Sequence, residues 1–170
     1  FIGTNCNACS AGYWGANCNA CPGGGGALAC NAHGTCSDGI GGSGTCSCSP
    51  GYTGPACQYS NAVTCNGHGT ANYDGTCTCN LGFSGATCNA CATNYYGYPT
   101  CSTYCLAATT CNANGTCSPS TGQCLCSPQF SGAGCSTCTT NYYNSPTCSY
   151  CLAATSCNGN GTCTGTGQCA

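Results

Sequence analysis

Cysteine offers most of the chemistry in this chain: 27 of its 170 residues, about 16%, beside two histidines, two aspartates and no lysine, arginine or glutamate. A thiolate can attack a substrate, ligate a metal or pair with another thiol, and the company it keeps decides which. Nucleophilic or acid–base catalysis needs a base within reach and a third group to orient it. His33 and His68 each sit in Cys-Asn-x-His-Gly-Thr, and Asp38 and Asp74 stand isolated. Later repeats place Asn114 and Asn160 where the histidines stand, so both read as turn residues rather than ligands. This inventory predicts no enzyme, no catalytic residue and no cofactor. The close pairs Cys-x-Cys and Cys-x-x-Cys leave two uses for sulfur, a thiolate metal cluster or a set of disulfides.

The elements that hold these residues cannot draw on an ordinary core. Leu, Ile, Val and Phe total 11 residues, far below the roughly 20% at which burial alone sustains a fold. A cysteine content above about 8–10% marks a disulfide scaffold, and each bridge closing a loop of about 15 residues contributes roughly 3 kcal/mol. Such bridges persist in oxidising surroundings, which places the chain on the secretory route, secreted or at the cell surface. With a formal charge of −2, nothing basic neutralises phosphates, and neither nucleic acid nor an anionic membrane is expected as a partner. Two readings account for the missing charge: a neutral, sugar-coated surface, or charged side chains misassigned in the sequence. No apolar run approaches the roughly 20 residues of a membrane span. Without a visible signal peptide, the chain reads as an interior segment of something longer.

Cys91, Cys101, Cys111 and Cys117 recur as Cys138, Cys148, Cys157 and Cys163, and "TNYYGYPTCSTYCLAATTCNANGTC" returns as "TNYYNSPTCSYCLAATSCNGNGTC". This periodicity predicts units stacked along one axis. Within a unit, the Gly, Pro, Asn and Ser content predicts brief β-hairpins and turns with few helices.

Cys-x-Cys followed by eight residues and a cysteine recurs at 46/48/57, 77/79/88 and 124/126/135. The intervening "SPGYTGPA", "NLGFSGAT" and "SPQFSGAG" place an aromatic at Tyr52, Phe83 and Phe130 and a glycine at Gly54, Gly85 and Gly132. This resembles the second half of an EGF module. The added pair after the sixth cysteine, as in Cys135-Ser-Thr-Cys138 before Cys148, resembles the laminin-type variant, as does "GTCSPSTGQCLC". The resemblance implies a small disulfide-rich fold of tandem EGF-like and laminin-type EGF-like modules with short β-hairpins, arranged as an extended rod. It divides the chain into a partial module with its linking loop at 1–20, an EGF-like module at 21–57, one at 58–104 with an extra loop at 91–101, a laminin-type module at 105–150 and a partial module at 151–170. The family pairing implies Cys9–Cys18, Cys21–Cys36, Cys30–Cys46, Cys48–Cys57, Cys65–Cys77, Cys79–Cys88 and Cys91–Cys101. It further implies Cys105–Cys117, Cys111–Cys124, Cys126–Cys135, Cys138–Cys148, Cys151–Cys163 and Cys157–Cys169. Cys6 is left over, a sixth cysteine whose partner would precede residue 1. Ala71 stands in a third-cysteine position, and none of residues 58 to 64, where its partner belongs, is cysteine. The joint loss supports first-to-third pairing, and this module is expected to be the loosest. Bridged cysteines leave no metal site, and Asp38 and Asp74 lie outside the positions that calcium-binding EGF modules use.

Modification is the remaining chemistry. Asn114-Gly-Thr116 and Asn160-Gly-Thr162 are N-glycosylation sequons. Thr35, Thr116 and Thr162 fit the EGF O-fucose pattern, and Thr70 fits it except that Ala71 replaces the cysteine. Thr53 and Ser84 fit the EGF pattern for O-linked N-acetylglucosamine, and Ser131 fits but for Gln129. The same residues also serve as ordinary turn formers. The modules resemble those of stabilin- and tenascin-like proteins and of algal and protist flagellar-hair (mastigoneme) glycoproteins. This implies a structural segment of a glycosylated filament, stalk or flagellar-hair-like appendage that associates with itself or other surface proteins. The alternative is an adhesion or receptor ectodomain whose exposed aromatics, Trp14, Tyr95, Tyr96, Tyr142 and Tyr143, recognise a protein ligand.

Overall fold

The computed structural model describes residues 2–3 and 7–170. Cys6 lies outside them. The chain forms two compact units, Phe1–Ala90 and Cys91–Ala170.

Three modules are each organised around one antiparallel hairpin of three-residue strands. In the first unit Gly34–Cys36 pairs with Cys46–Cys48, and Gly69–Ala71 with Cys77–Cys79. In the second, Gly115–Cys117 pairs with Cys124–Cys126. Two-residue pairs follow the same order: Tyr13–Trp14 with Asn19–Ala20 and Tyr52–Thr53 with Tyr59–Ser60 in the first unit. Tyr95–Tyr96 with Thr103–Tyr104, Phe130–Ser131 with Thr137–Cys138 and Tyr142–Tyr143 with Ser149–Tyr150 follow in the second. Among the described residues the helices are single turns, Asn61–Thr64, Ala107–Thr110 and Ala153–Ser156, and short 3-10 turns within Gly26–Ala32 that are split by non-helical backbone at Ala29, Cys30 and Asn31. Side chains explain the three single turns. Thr64, Thr110 and Ser156 accept the N–H of the residue four before, at 3.0 Å in each case, closing the turn through a hydroxyl.

Sulfur makes the core. Cys30, Cys57, Cys65, Cys88, Cys105, Cys111 and Cys135 are wholly buried, whereas Phe130 is the one large apolar side chain buried among the described residues. Among the described residues thirteen bridges join 26 cysteines. The first unit holds Cys9–Cys18, Cys21–Cys36, Cys30–Cys46, Cys48–Cys57, Cys65–Cys77 and Cys79–Cys88. In the second lie Cys91–Cys101, Cys105–Cys117, Cys111–Cys124, Cys126–Cys135, Cys138–Cys148, Cys151–Cys163 and Cys157–Cys169.

Glycine at the head of each hairpin follows from this core. A Cβ on Gly34 would stand 2.9 Å from Cys57 Sγ, and on Gly69 2.7 Å from Cys88 Sγ. The facing strand is closer still, with Ser47 O at 2.5 Å and Thr78 O at 2.6 Å. Neither residue has a positive φ, so close approach of the facing strand and the fifth–sixth bridge, not backbone freedom, requires glycine here.

Candidate functional site

Side-chain and backbone contacts recur at the module joints of both units. At three places an aromatic ring is seated on a glycine at a hairpin tip: Trp14 on Gly44, Tyr59 on Gly75 and Tyr96 on Gly122. The first and third span a module joint, and the second lies within one module. At Gly167 the near neighbour is the Cβ of Tyr143, 3.3 Å from where a glycine Cβ would stand. The glycines have φ of +74°, +86°, +72° and +77°, a region that favours glycine. A Cβ would stand 2.6 Å from the Tyr59 ring at Gly75 and 2.9 Å from that of Tyr96 at Gly122, and it would collide with the indole at Gly44. The three ring seats therefore need both a reversed backbone and an absent side chain. Backbone bonds reinforce the joints. The N–H groups of Cys21, Cys105 and Cys151 donate to the carbonyls of Gly12, Asn94 and Asn141 at 2.9, 2.9 and 2.8 Å, tying the first cysteine of a module to the loop before it. At the first joint Gly39 N–H donates to Tyr13 O at 2.8 Å, Gly15 N–H to Gly39 O at 3.0 Å and Gly12 N–H to Asp38 Oδ2 at 2.8 Å.

The model of the laminin EGF domain matches residues 59–105 and 109–151, more than half of the chain. The chain belongs to the laminin-type EGF family. A teneurin-like EGF domain model matches residues 28–60. A search of curated proteins finds no match. Disulfide-rich EGF modules are extracellular structural or interaction modules, typically without enzymatic activity. Among the described residues no helix is long and apolar enough to cross a membrane.

The laminin-type match begins at Tyr59, which takes the place that Cys105 has in the next module, six residues before the second cysteine. Tyr59 packs against the cluster of Cys65, Ala71 and Cys88, where Ala71 is 7% exposed. Ala71 N–H donates to Asn61 Oδ1 at 2.8 Å. The lost cysteine pair is thus replaced by a large ring, a small methyl group and a side-chain hydrogen bond.

The aromatics expected to be exposed are not. Trp14, Tyr95, Tyr96, Tyr142 and Tyr143 are all half-buried: Trp14 and Tyr96 fill the joints at Gly44 and Gly122, Tyr143 lies with its Cβ beside Gly167, and the other two brace their neighbours. Tyr95 meets Tyr104, and Tyr142 meets Tyr150, edge to face at 5.3 Å between ring centres. Both histidines also have partners: His33 stacks on Tyr52 at 3.8 Å and His68 on Phe83 at 4.1 Å.

The modification candidates fall into two groups. Thr35, Thr70 and Thr116 are exposed at the centres of their strands, and Thr162 and Asn160 are also exposed. Thr53, Ser84, Ser131 and Asn114 are half-buried. Ser131 Oγ lies 2.9 Å from Thr137 Oγ1, and Asn114 Nδ2 donates to the Cys135 carbonyl at 3.1 Å. Three clusters bring sulfurs within 4.8 Å of one another: Cys30, Cys46 and Cys57; Cys105, Cys111 and Cys124; Cys151, Cys157 and Cys163. All of these cysteines are bridged, so none offers a thiolate.

One positioning residue escaped the sequence reading. The asparagine after the second cysteine adopts positive φ, 52° at Asn31 and Asn66 and 51° at Asn112. Its Nδ2 donates to the carbonyl before the sixth cysteine, Ala56, Thr87 and Gly134, at 2.7, 2.9 and 2.8 Å. The recurrence of Cys-Asn at 30, 65, 111 and 157 was the available signal.

Proposed function

We propose that this chain is a structural segment of a glycosylated extracellular filament, stalk or flagellar-hair-like appendage. The recurring aromatic-on-glycine seat carries the reading. In each unit it spends a large side chain, Trp14 on Gly44 and Tyr96 on Gly122, on fixing one module against the next, which a shape-bearing element needs. A neutral sugar coat on the exposed strand threonines suits such an element, as does association with itself or other surface proteins. Electron microscopy of native material tests this: ordered fibres are expected, and isolated flexible chains would overturn it. The adhesion or receptor reading draws support from Val63, Tyr98 and Leu81, exposed at 84%, 58% and 86%. Under that reading a soluble protein ligand is captured, and no fibre forms.

A further inference from the structure

Beside the joint at Gly122, in the second unit, Thr103, Tyr104, Thr110, Gly122, Gln123 and Ala133 border a cavity of about 380 Å³. That volume lies within the roughly 300–1,000 Å³ of small-ligand sites. Three features specify what it would hold. First, residues 91–170 contain no Asp, Glu, Lys, Arg or His, so a charged ligand would find no counter-charge. Second, the side chains of Thr103, Tyr104 and Gln123 are exposed and make no hydrogen bond within the protein, leaving two hydroxyls and an amide that both donate and accept. Third, the Tyr104 ring is about half exposed, at 49%, while Tyr95 braces it edge to face at 5.3 Å. A braced, open aromatic surface ringed by neutral donors and acceptors matches a pyranose, whose C–H face packs on a ring and whose hydroxyls pair around its rim.

The next module repeats the set. Ser149, Tyr150, Ser156 and Gln168 take the positions of Thr103, Tyr104, Thr110 and Gln123. Tyr150 is 50% exposed and is braced in the same way by Tyr142. The geometry points to a binding site for a neutral hexose unit of a glycan at Thr103, Tyr104 and Gln123, repeated at Ser149, Tyr150 and Gln168. The inference stands apart from the filament reading, since a stalk or a receptor would use it equally. Two sources share this chemistry, a separate polysaccharide and a glycan carried by the chain itself.

The test titrates the whole chain, as isolated and after enzymatic deglycosylation, with cellohexaose, mannohexaose and chitohexaose, following tyrosine and glutamine side-chain NMR signals. At least one hexasaccharide should shift Tyr104 and Gln123, and Gln123→Ala should weaken that binding about tenfold, the loss of one to two hydrogen bonds. Tyr104→Ala should remove it from this module. Binding to both forms of the chain assigns the site to a separate glycan; binding only after deglycosylation assigns it to the chain's own. The Gln123 side chain is exposed and unbonded, so its variant keeps the fold even where the tyrosine variant does not. The proposal is overturned when none of the three sugars shifts these signals at about 10 mM, or when Gln123→Ala binds as tightly as the parent.

Discussion

Tyr59 and Ala71 stand where the neighbouring modules have a bridged pair of cysteines, and Tyr59 packs against the buried cluster to which Ala71 belongs. Apolar packing here replaces a covalent link, and it acts on the folded state, whereas a bridge acts chiefly by restricting the unfolded chain. Restoring cysteine at both positions should close a loop of about 12 residues and stabilise the module by about 3 kcal/mol. Tyr59→Ala alone should cost about 2–3 kcal/mol, less than a fully buried aromatic. Denaturant titration with peptide mapping of the new bridge checks both. Equal stability of Tyr59→Ala and the parent would show that the ring is not a substitute.

The seat at Gly44 separates two costs that glycine substitution usually mixes. Gly15 and Gly44 share a φ of +74°, but a Cβ on Gly15 meets nothing within 4 Å, and on Gly44 it enters the Trp14 ring. Gly15→Ala should therefore lose only the backbone term, about 1 kcal/mol. Gly44→Ala should lose about 1–3 kcal/mol more through overpacking. Hydrogen exchange at the Gly39 amide, which bonds to Tyr13 O at 2.8 Å, reports the joint directly. Identical exchange in the two variants would remove the ring from the account.

Much of the fold was legible because cysteine spacing is a direct record of loop length, and loop length admits few modules. The hairpins, the scarcity of helix and the glycines at 54, 85 and 132 with positive φ all follow from that pattern. The aromatic seats were not legible, since the ring and its glycine lie about 16 to 30 residues apart in the chain and neither belongs to the cysteine frame. Trp14 and Tyr96 consequently read as free binding residues until their seats were seen. Tyr59 was not legible for a related reason: the cysteine frame marks its place only by the absence of a cysteine. The histidines resembled turn formers, and their stacking partners at Tyr52 and Phe83 come from the following hairpin.

Reduction and chelation should act in opposite ways. Among the described residues the core consists of thirteen bridges, and each contributes roughly 3 kcal/mol, while every clustered cysteine is already bonded to another. Dithiothreitol should abolish dispersed amide signals, and EDTA should leave them unchanged. A fold lost to EDTA without reductant would restore the metal reading.

Acid should loosen one hairpin tip and leave the modules standing. Thr76 donates its hydroxyl and its N–H to Asp74 Oδ1 at 2.7 and 3.0 Å, and these bonds hold the carboxyl below its ordinary value of 3.8. A lowered folded-state value means that the tip gains stability above the unfolded value and loses it as pH falls through the folded one. Thr76 and its neighbours at 72–76 should therefore shift in an NMR titration below pH 3.8, with hydrogen exchange in the bridged strands unchanged. Loss of all dispersed signals in the same range would mean that charge matters more than sulfur.

Solubility leads to the last prediction. A chain of formal charge −2 with 15 aromatic residues would associate if its surface were bare. The exposed positions of Thr35, Thr116 and Thr162 give a transferase room, and their side chains carry no hydrogen bond that a sugar would break. Thr70 is as exposed, but Ala71 follows it in place of the cysteine of the pattern. Thr53, Ser84 and Ser131 are less accessible, and Ser131 already pairs with Thr137. Of the two sequons, Asn160 is open, while Asn114 donates its amide to the Cys135 carbonyl and shares its turn with Thr116. Mass spectrometry of native peptides should find sugar on several of these residues, with Thr35, Thr116 and Thr162 modified more fully than Thr53, Ser84 and Ser131, and Asn160 more than Asn114. Finding every one unmodified would defeat the sugar coat. An intact mass above that of the sequence and any sugar would then locate the missing solubility in charged side chains.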